Sequence, residues 1–281
     1  SLIAHGVLYD EVPLKDNEVD YEKLEEMIDE TVTMVLIQRS KGYSTRNSLS
    51  IDDIERICKI VKSKNPNCIC FVDNCYGEFV DSREPLEAGA DLIAGSLIKN
   101  PGGGIVEAGG YIAGKAKYVD KSANRLTAPG IGSEGGAMFN QHRLMFQGLF
   151  MAPSVVCDAV KGAVLAAKIF EEIGYDSAPK YNEKRTDIIQ NIIFGSPEPL
   201  EQFCRTIQSL SPVNGYVTPI PEYIPGYEDK VIMAGGTFIE GSTIELSADG
   251  PMRAPYVAYM QGGLNYAHVK IALTKFLDNL I

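Results

Sequence analysis

The chain has 281 residues, 45% of them apolar and 22% charged, enough for a large buried core and more than one domain. Its 26 Lys and Arg against 37 Asp and Glu leave a net charge of −11, which repels phosphate backbones and anionic lipid and sets nucleic-acid and membrane partners aside. No run reaches the ~20 apolar residues of a bilayer span, and six cysteines with three histidines in no ligand spacing make neither a disulfide framework nor a metal site; a cytoplasmic protein is expected.

The opening, SLIAHGVLYDEV, has no basic leader and no initiator Met, and starts on an apolar strand-like segment. We therefore expect a further N-terminal part outside this sequence. Residues 20–30 place Tyr21, Leu24, Met27 and Ile28 on one helical face. TVTMVLIQ (31–38) is a nearly continuous β-branched and apolar run, the pattern of a strand buried on both faces. SIDDIERICKIVKSK follows, with Ser50 and Asp53 spaced as a capping box and Ile51, Ile54, Ile57, Cys58 and Val61 as the buried stripe. CICFVD (68–73), in which Cys68 and Cys70 read as packed thiols, and DLIAGSL (91–97) are two further strands.

Strand and helix alternating in this way imply an α/β fold with a mostly parallel sheet, whose binding crevice lies at the carboxyl ends of the strands. Three polar clusters stand there: Gln38-Arg39-Ser40, Asp73-Asn74, and Ser96 to Lys99. After residue 150 the character changes. A long apolar helix is expected from about Pro153, then a helix over 198–209, a hairpin with its turn near Glu240-Gly241, and a closing helix carrying Val269, Ala272, Leu273, Phe276, Leu277 and Leu280. The expected division is a cofactor-binding large domain over 1–150, incomplete at its N-terminus, and a linking helix with a smaller α+β domain over 151–281.

Lys99 closes an apolar run and meets Asn-Pro-Gly-Gly-Gly at once. A surface charge, a phosphate clamp and a reactive amine are the alternatives. GGYIAGKA (109–116) offers Ala116 where a phosphate loop needs a metal-binding hydroxyl, and GGG (102–104) lacks the dinucleotide spacing, so both phosphate-loop readings are set aside. Singly, Asp73 reads as a turn residue and Ser96-x-x-Lys99 as a chance match. Together, an acid and an amine at the ends of neighbouring strands suit pyridoxal phosphate, which needs a lysine for its aldehyde and an acid for its pyridine nitrogen.

LIQRSKGYSTR, FVDNCYGEFV, SLIKNPGGGI and GGYIAG, in that order, resemble the methionine gamma-lyase-like proteins often labelled aluminium resistance proteins, within the fold type I pyridoxal-phosphate enzymes. The similarity runs on through RLTAPGIGSEGG into the second domain. It implies a pyridoxal-phosphate-transferase-like fold and an amino-acid enzyme, first a carbon–sulfur lyase of methionine gamma-lyase or cystathionine beta-lyase type. An aminotransferase on the same scaffold and a non-catalytic member are the alternatives. The resemblance further implies that Lys99 forms the internal aldimine, Asp73 pairs with the pyridine nitrogen, Tyr76 hydrogen-bonds the cofactor's phenolic oxygen, and Ser96 donates to the phosphate. Arg253 in GPMRAPY is placed where such enzymes bind the substrate carboxylate, with Arg39 and Arg46 as rivals. A homodimer or homotetramer is the implied assembly, and Cys75 reads as a bystander.

Overall fold

A computed structural model describes residues 2–136 and 138–280. A two-strand hairpin, β1 (Leu14–Lys15) and β2 (Glu18–Val19), leads into α1 (Tyr21–Met27). Then come β3 (Met34–Gln38), α2 (Ile51–Lys64), β4 (Ile69–Asp73), β5 (Leu92–Ser96) and β6 (Gly110–Gly114). They form a sheet of order β3-β4-β5-β6, parallel across the first three strands and antiparallel at β6. The fold is α/β with a mixed sheet.

The start of α2 is set by its sequence. Ser50 Oγ accepts from the Asp53 N–H at 3.0 Å and the Asp53 carboxylate accepts from the Ser50 N–H at 2.8 Å, the reciprocal capping box. Ile51, Ile54, Ile57, Cys58 and Val61 are buried against Ile37, Cys70, Val72 and Ile93 of the sheet, each aliphatic side chain contributing about 1.5–3 kcal/mol. This layer covers one face only. Met34, Leu36 and Ile112 on the opposite face are exposed, Leu36 by 61%, which corrects the expectation that β3 is buried on both sides. The apolar run specifies a strand; what lies against its second face is not encoded in it.

α3 (Ala116–Leu126) follows, an exposed helix that the periodicity did not announce. The glycine-dense segment 127–136 is largely exposed beside it. α4 (His142–Glu172) starts well before Pro153, a second correction. Pro153 faces solvent, where water can satisfy the carbonyl that its missing N–H leaves free. By length and composition this helix could also cross a membrane, contrary to the reading that no segment could. Its Ala152, Val156, Ala159, Ala163, Ala166, Ala167 and Phe170 instead form a fully buried stripe.

The second sheet is built from β7 (Asp176–Ala178), β8 (Ile189–Ile193), β9 (Val231–Ala234), β10 (Ser247–Pro251) and β11 (Val257–Gln261), in the order β7-β8-β11-β10-β9 and antiparallel throughout. α5 (Pro197–Ser209), α6 (Tyr266–Asp278) and the buried part of α4 pack on it around Phe170, Phe194, Phe203 and Phe276. β9 and β10 pair as the expected hairpin, but residues 235–246 form a long loop rather than a tight turn. The buried Glu245 carboxylate organises it, accepting from the Phe238 N–H at 2.9 Å, the Ile239 N–H at 3.1 Å and Thr243 Oγ1 at 3.3 Å.

Candidate functional site

β4 and β5 deliver the acid and the loop that carries the amine. Their register pairs Asp73 with Ala94, so Asp73 and Ser96, two residues along β5, project from the same face at the carboxyl end of the sheet. That is the face left open above. Lys99 follows in the loop leaving β5, at the start of a 3-10 turn (Asn100–Gly102). Gly103 adopts φ +55°, and a Cβ there would sit 2.7 Å from the Gly148 carbonyl of α4. Glycine is therefore what lets this loop lie directly on the long helix, and it explains the Asn-Pro-Gly-Gly-Gly after the lysine.

Lys99 Nζ stands 4.7 Å from the centre of the Tyr76 ring. The Cys75 thiol and the Asp73 carboxylate both lie close enough to act on the charge of the same amine. Burial disfavours the charged amine, but Tyr76, Cys75 and Asp73 outweigh it, so the Lys99 pKa stands above the ordinary lysine value. An aldehyde at this site must compete with a proton. Burial pushes the Cys75 thiol up to about 11, Lys99 pulling the other way, so Cys75 is a neutral neighbour of the amine. Asp73 Oδ1 accepts from the Cys75 N–H at 3.1 Å, which ties the carboxylate to the turn.

Tyr76 has φ +69°, unusual for a bulky residue, and is held there from two sides. Its hydroxyl accepts from Gln261 Nε2 of β11 at 3.2 Å. Its ring packs against Val155 and Val156 of α4, Ile244 of the 235–246 loop, and Val257 and Tyr259 of β11. The same loop closes over the residue before the lysine, the Ile244 N–H donating to the Ile98 carbonyl at 3.3 Å. Neither contact could be read from local sequence.

The three arginines separate. Arg39 is completely buried, its Nη1 donating to Asn74 Oδ1 at 2.8 Å. Arg46 donates to the carbonyls of Gln38 at 3.1 Å, Asn47 at 2.8 Å and Ser40, stapling the loop after β3. Arg253 alone borders an open cleft, of about 280 Å³, with Tyr43, Ser44, Thr45, Val257 and Tyr259. Asp229 holds it at 3.1 Å. Neither Lys99 nor Asp73 lines that cleft; Tyr43 and Tyr259, with ring centres 5.1 Å apart, border it, and Tyr76 beside Lys99 packs against the same aromatic cluster.

A primary amine, a carboxylate and a hydroxyl at adjoining strand ends, with Asp73 and Ser96 opening on an uncovered face, fit the ring nitrogen, aldehyde and phosphate of pyridoxal phosphate in chemical type. A profile of the methionine gamma-lyase family matches residues 1–281. The chain belongs to that family. It is 53% identical to an uncharacterized protein, YnbB, of Bacillus subtilis, covering 100% of this chain and 67% of that one. A crystal structure from Listeria monocytogenes, described as a candidate cystathionine beta-lyase involved in aluminium resistance, superposes with TM-score 0.97 at 49% identity, over 100% of this chain and 70% of that one. A carbon–sulfur lyase involved in aluminium resistance from Clostridium novyi gives TM-score 0.94 at 48% identity, over 100% and 66%. The chain thus spans about two thirds of the length of these relatives.

Proposed function

We propose that the chain carries the lysine and aspartate of a pyridoxal-phosphate-dependent, fold type I carbon–sulfur lyase acting on an amino acid, with residues 1–150 as its cofactor domain and 151–281 as linking helix and smaller domain. One observation carries this reading: Lys99 stands over the Tyr76 ring with Asp73 beside it, at the ends of neighbouring parallel strands in a member of this family. The names of the crystallised relatives favour carbon–sulfur bond cleavage over transamination.

When bound, pyridoxal phosphate supplies an electron sink for negative charge at the substrate's α carbon. Asp73 would hold a proton at the ring nitrogen, which is what makes that sink effective. Lys99 would bind the aldehyde covalently and, once released, move the α proton as a general base. Ser96 would orient the phosphate. Tyr76, fixed by Gln261 and by its packing, would hold the phenolic oxygen and keep the amine facing the acid. Arg253 would bind the substrate carboxylate as a planar pair of donors. The α4 side chains Phe146 and Phe150, 72% and 83% exposed on one helical face, support assembly as a homodimer or homotetramer.

Borohydride reduction with pyridoxal phosphate, followed by peptide mapping, tests the site. The adduct is expected on Lys99 and absent from Lys99→Ala; an adduct on another lysine overturns the assignment. Release of thiol, keto acid and ammonia without an added keto acid separates lyase from aminotransferase.

A further inference from the structure

The end of β4 and the loop after β5 carry the two groups on which the proposed function rests. Behind the sheet, on the α2 side, one polar cluster joins them. Asn100, the residue after Lys99, is fully buried and its Nδ2 donates to the Glu78 carbonyl at 2.9 Å. Tyr111 of β6 donates its hydroxyl to Glu78 Oε1 at 2.8 Å and accepts from Asn74 Nδ2 at 3.3 Å. Asn74, next to Asp73, also donates to Glu84 Oε2 at 3.0 Å and accepts from Arg39 Nη1 at 2.8 Å. Gly95 makes the room: a Cβ there would lie 2.4 Å from Glu78 Oε1 and 2.5 Å from Tyr111 Cε1, so a side chain would evict the carboxyl group.

Glu78 is 4% exposed, and among the described residues its Oε2 has no hydrogen-bond partner. The buried Asn100 Oδ1 has none either. Both are acceptors, so a proton on the Glu78 carboxyl adds the kind of group the cluster lacks. Burial pushes the Glu78 pKa up to about 7; Glu84 adds to the rise, while Tyr111 and Arg39 pull the other way. Ionised, Glu78 leaves a charged oxygen buried and unbonded, with Arg39 as the compensating cation.

We propose that Glu78 is the positioning residue of the lysine site: it couples the Lys99 loop to the Asp73 turn, and its ionisation changes how Lys99 is held. This rests on the lysine–aspartate reading above, but its test needs no cofactor. The groups that face Glu78 are Arg39 from the end of β3, Glu84 and Cys75 from the region after β4, and Tyr111 from β6.

The experiment is a carbon-13 NMR titration of the reductively methylated chain, with the Lys99 signal assigned by its loss in Lys99→Arg. Expected is a chemical-shift inflection of Lys99 near pH 7, well below its own titration. Glu78→Gln removes that inflection. Tyr111→Phe, which keeps the ring and loses a donor to the carboxylate, moves it to higher pH. A native chain with no such inflection, or one that persists in Glu78→Gln, overturns the proposal. A chain that shows it yet captures no pyridoxal phosphate on Lys99 upholds the coupling and rejects the cofactor reading instead.

Discussion

β10 and β11 of the five-stranded sheet are buried almost residue for residue, whereas β3 of the four-stranded sheet alternates between covered and open positions. The five-stranded sheet has α4, α5 and α6 packed on it around four phenylalanines. The four-stranded sheet has α1 and α2 on one face and exposed Met34, Leu36 and Ile112 on the other. Yet it is the half-covered sheet that bears Asp73, Ser96 and Lys99. Stability and the candidate chemistry are lodged in different halves, and the loop after β3 sews the halves together. Tyr43 donates to Asp249 Oδ2 at 2.8 Å, Asn191 Nδ2 donates to the Ser44 carbonyl at 3.1 Å, and Lys41 Nζ to the Ala178 carbonyl at 3.1 Å.

Removing an aromatic ring from the enclosed core gives the largest effect. Phe276 is fully buried and meets Phe203 edge to face, with ring centres 5.2 Å apart. Phe276→Ala is expected to cost about 3–5 kcal/mol in urea unfolding, transfer and cavity terms together. Because the lysine site lies in the other half, what folded protein remains at low temperature should still be reduced onto Lys99 with pyridoxal phosphate. Loss of that labelling in the folded fraction would show that the halves cannot be treated apart.

Two buried carboxylates, Asp249 in one half and Asp91 in the other, should also answer pH with opposite sign. Asp249, in the enclosed sheet, is 8% exposed, and burial raises its pKa to about 6 against the Tyr43 hydrogen bond. The unfolded chain releases that proton first, so this contribution is present in acid and declines as pH rises from about 4 to 6. The decline is on the order of 2–3 kcal/mol, and Asp249→Asn should flatten it. Asp91, beside β5, behaves in reverse. Burial would raise its pKa, but Lys115 and Lys62, each with Nζ 2.5 Å from the carboxylate, and the Cys70 N–H hold it below the ordinary value. Its contribution is present at neutral pH and lost as pH falls through that lowered pKa. Thermal unfolding of Asp249→Asn and Asp91→Asn across pH 3–8 checks both signs; the same slope change in both variants would refute the contrast.

What the sequence revealed follows this division as well. Ser50, Asp53 and the Ile51–Val61 stripe announce α2 because its caps and its core face are local. Asp73 and Lys99 stand out because each closes an apolar strand. β8 and β11 went unrecognised: Gln190 and Asn191 interrupt the apolar pattern of β8, and they are tolerated inside because their amides reach the carbonyls of Pro179 and Ser44. Pro153, a favoured first-turn residue, drew the start of α4 too far along. Gln261 under Tyr76 and the Asn100–Glu78 bond join residues far apart in sequence, and no spacing rule anticipates them.

The cleft that borders the enclosed sheet gives the next effect. If Arg253 receives the substrate carboxylate, Arg253→Ala should raise KM about 10–100-fold, as expected for the loss of hydrogen bonds to a charged group, with a smaller change in kcat. Its side chain is 55% exposed and held by Asp229, so the melting temperature should stay near that of the parent. A fall in kcat at unchanged KM would move the carboxylate contact elsewhere.

The smallest expected effect is the sharpest probe of the open face. Leu36 is 61% exposed in the single chain, so Leu36→Ser removes little buried area and should change unfolding free energy by no more than about 0.5 kcal/mol. A measured loss of about 2 kcal/mol would mean that Leu36 is covered in solution. Repeating the titration at several protein concentrations then decides by what. A midpoint that rises with concentration points to a second copy against this face, because association stabilises the folded state by mass action; one that does not move assigns the cover to the chain itself.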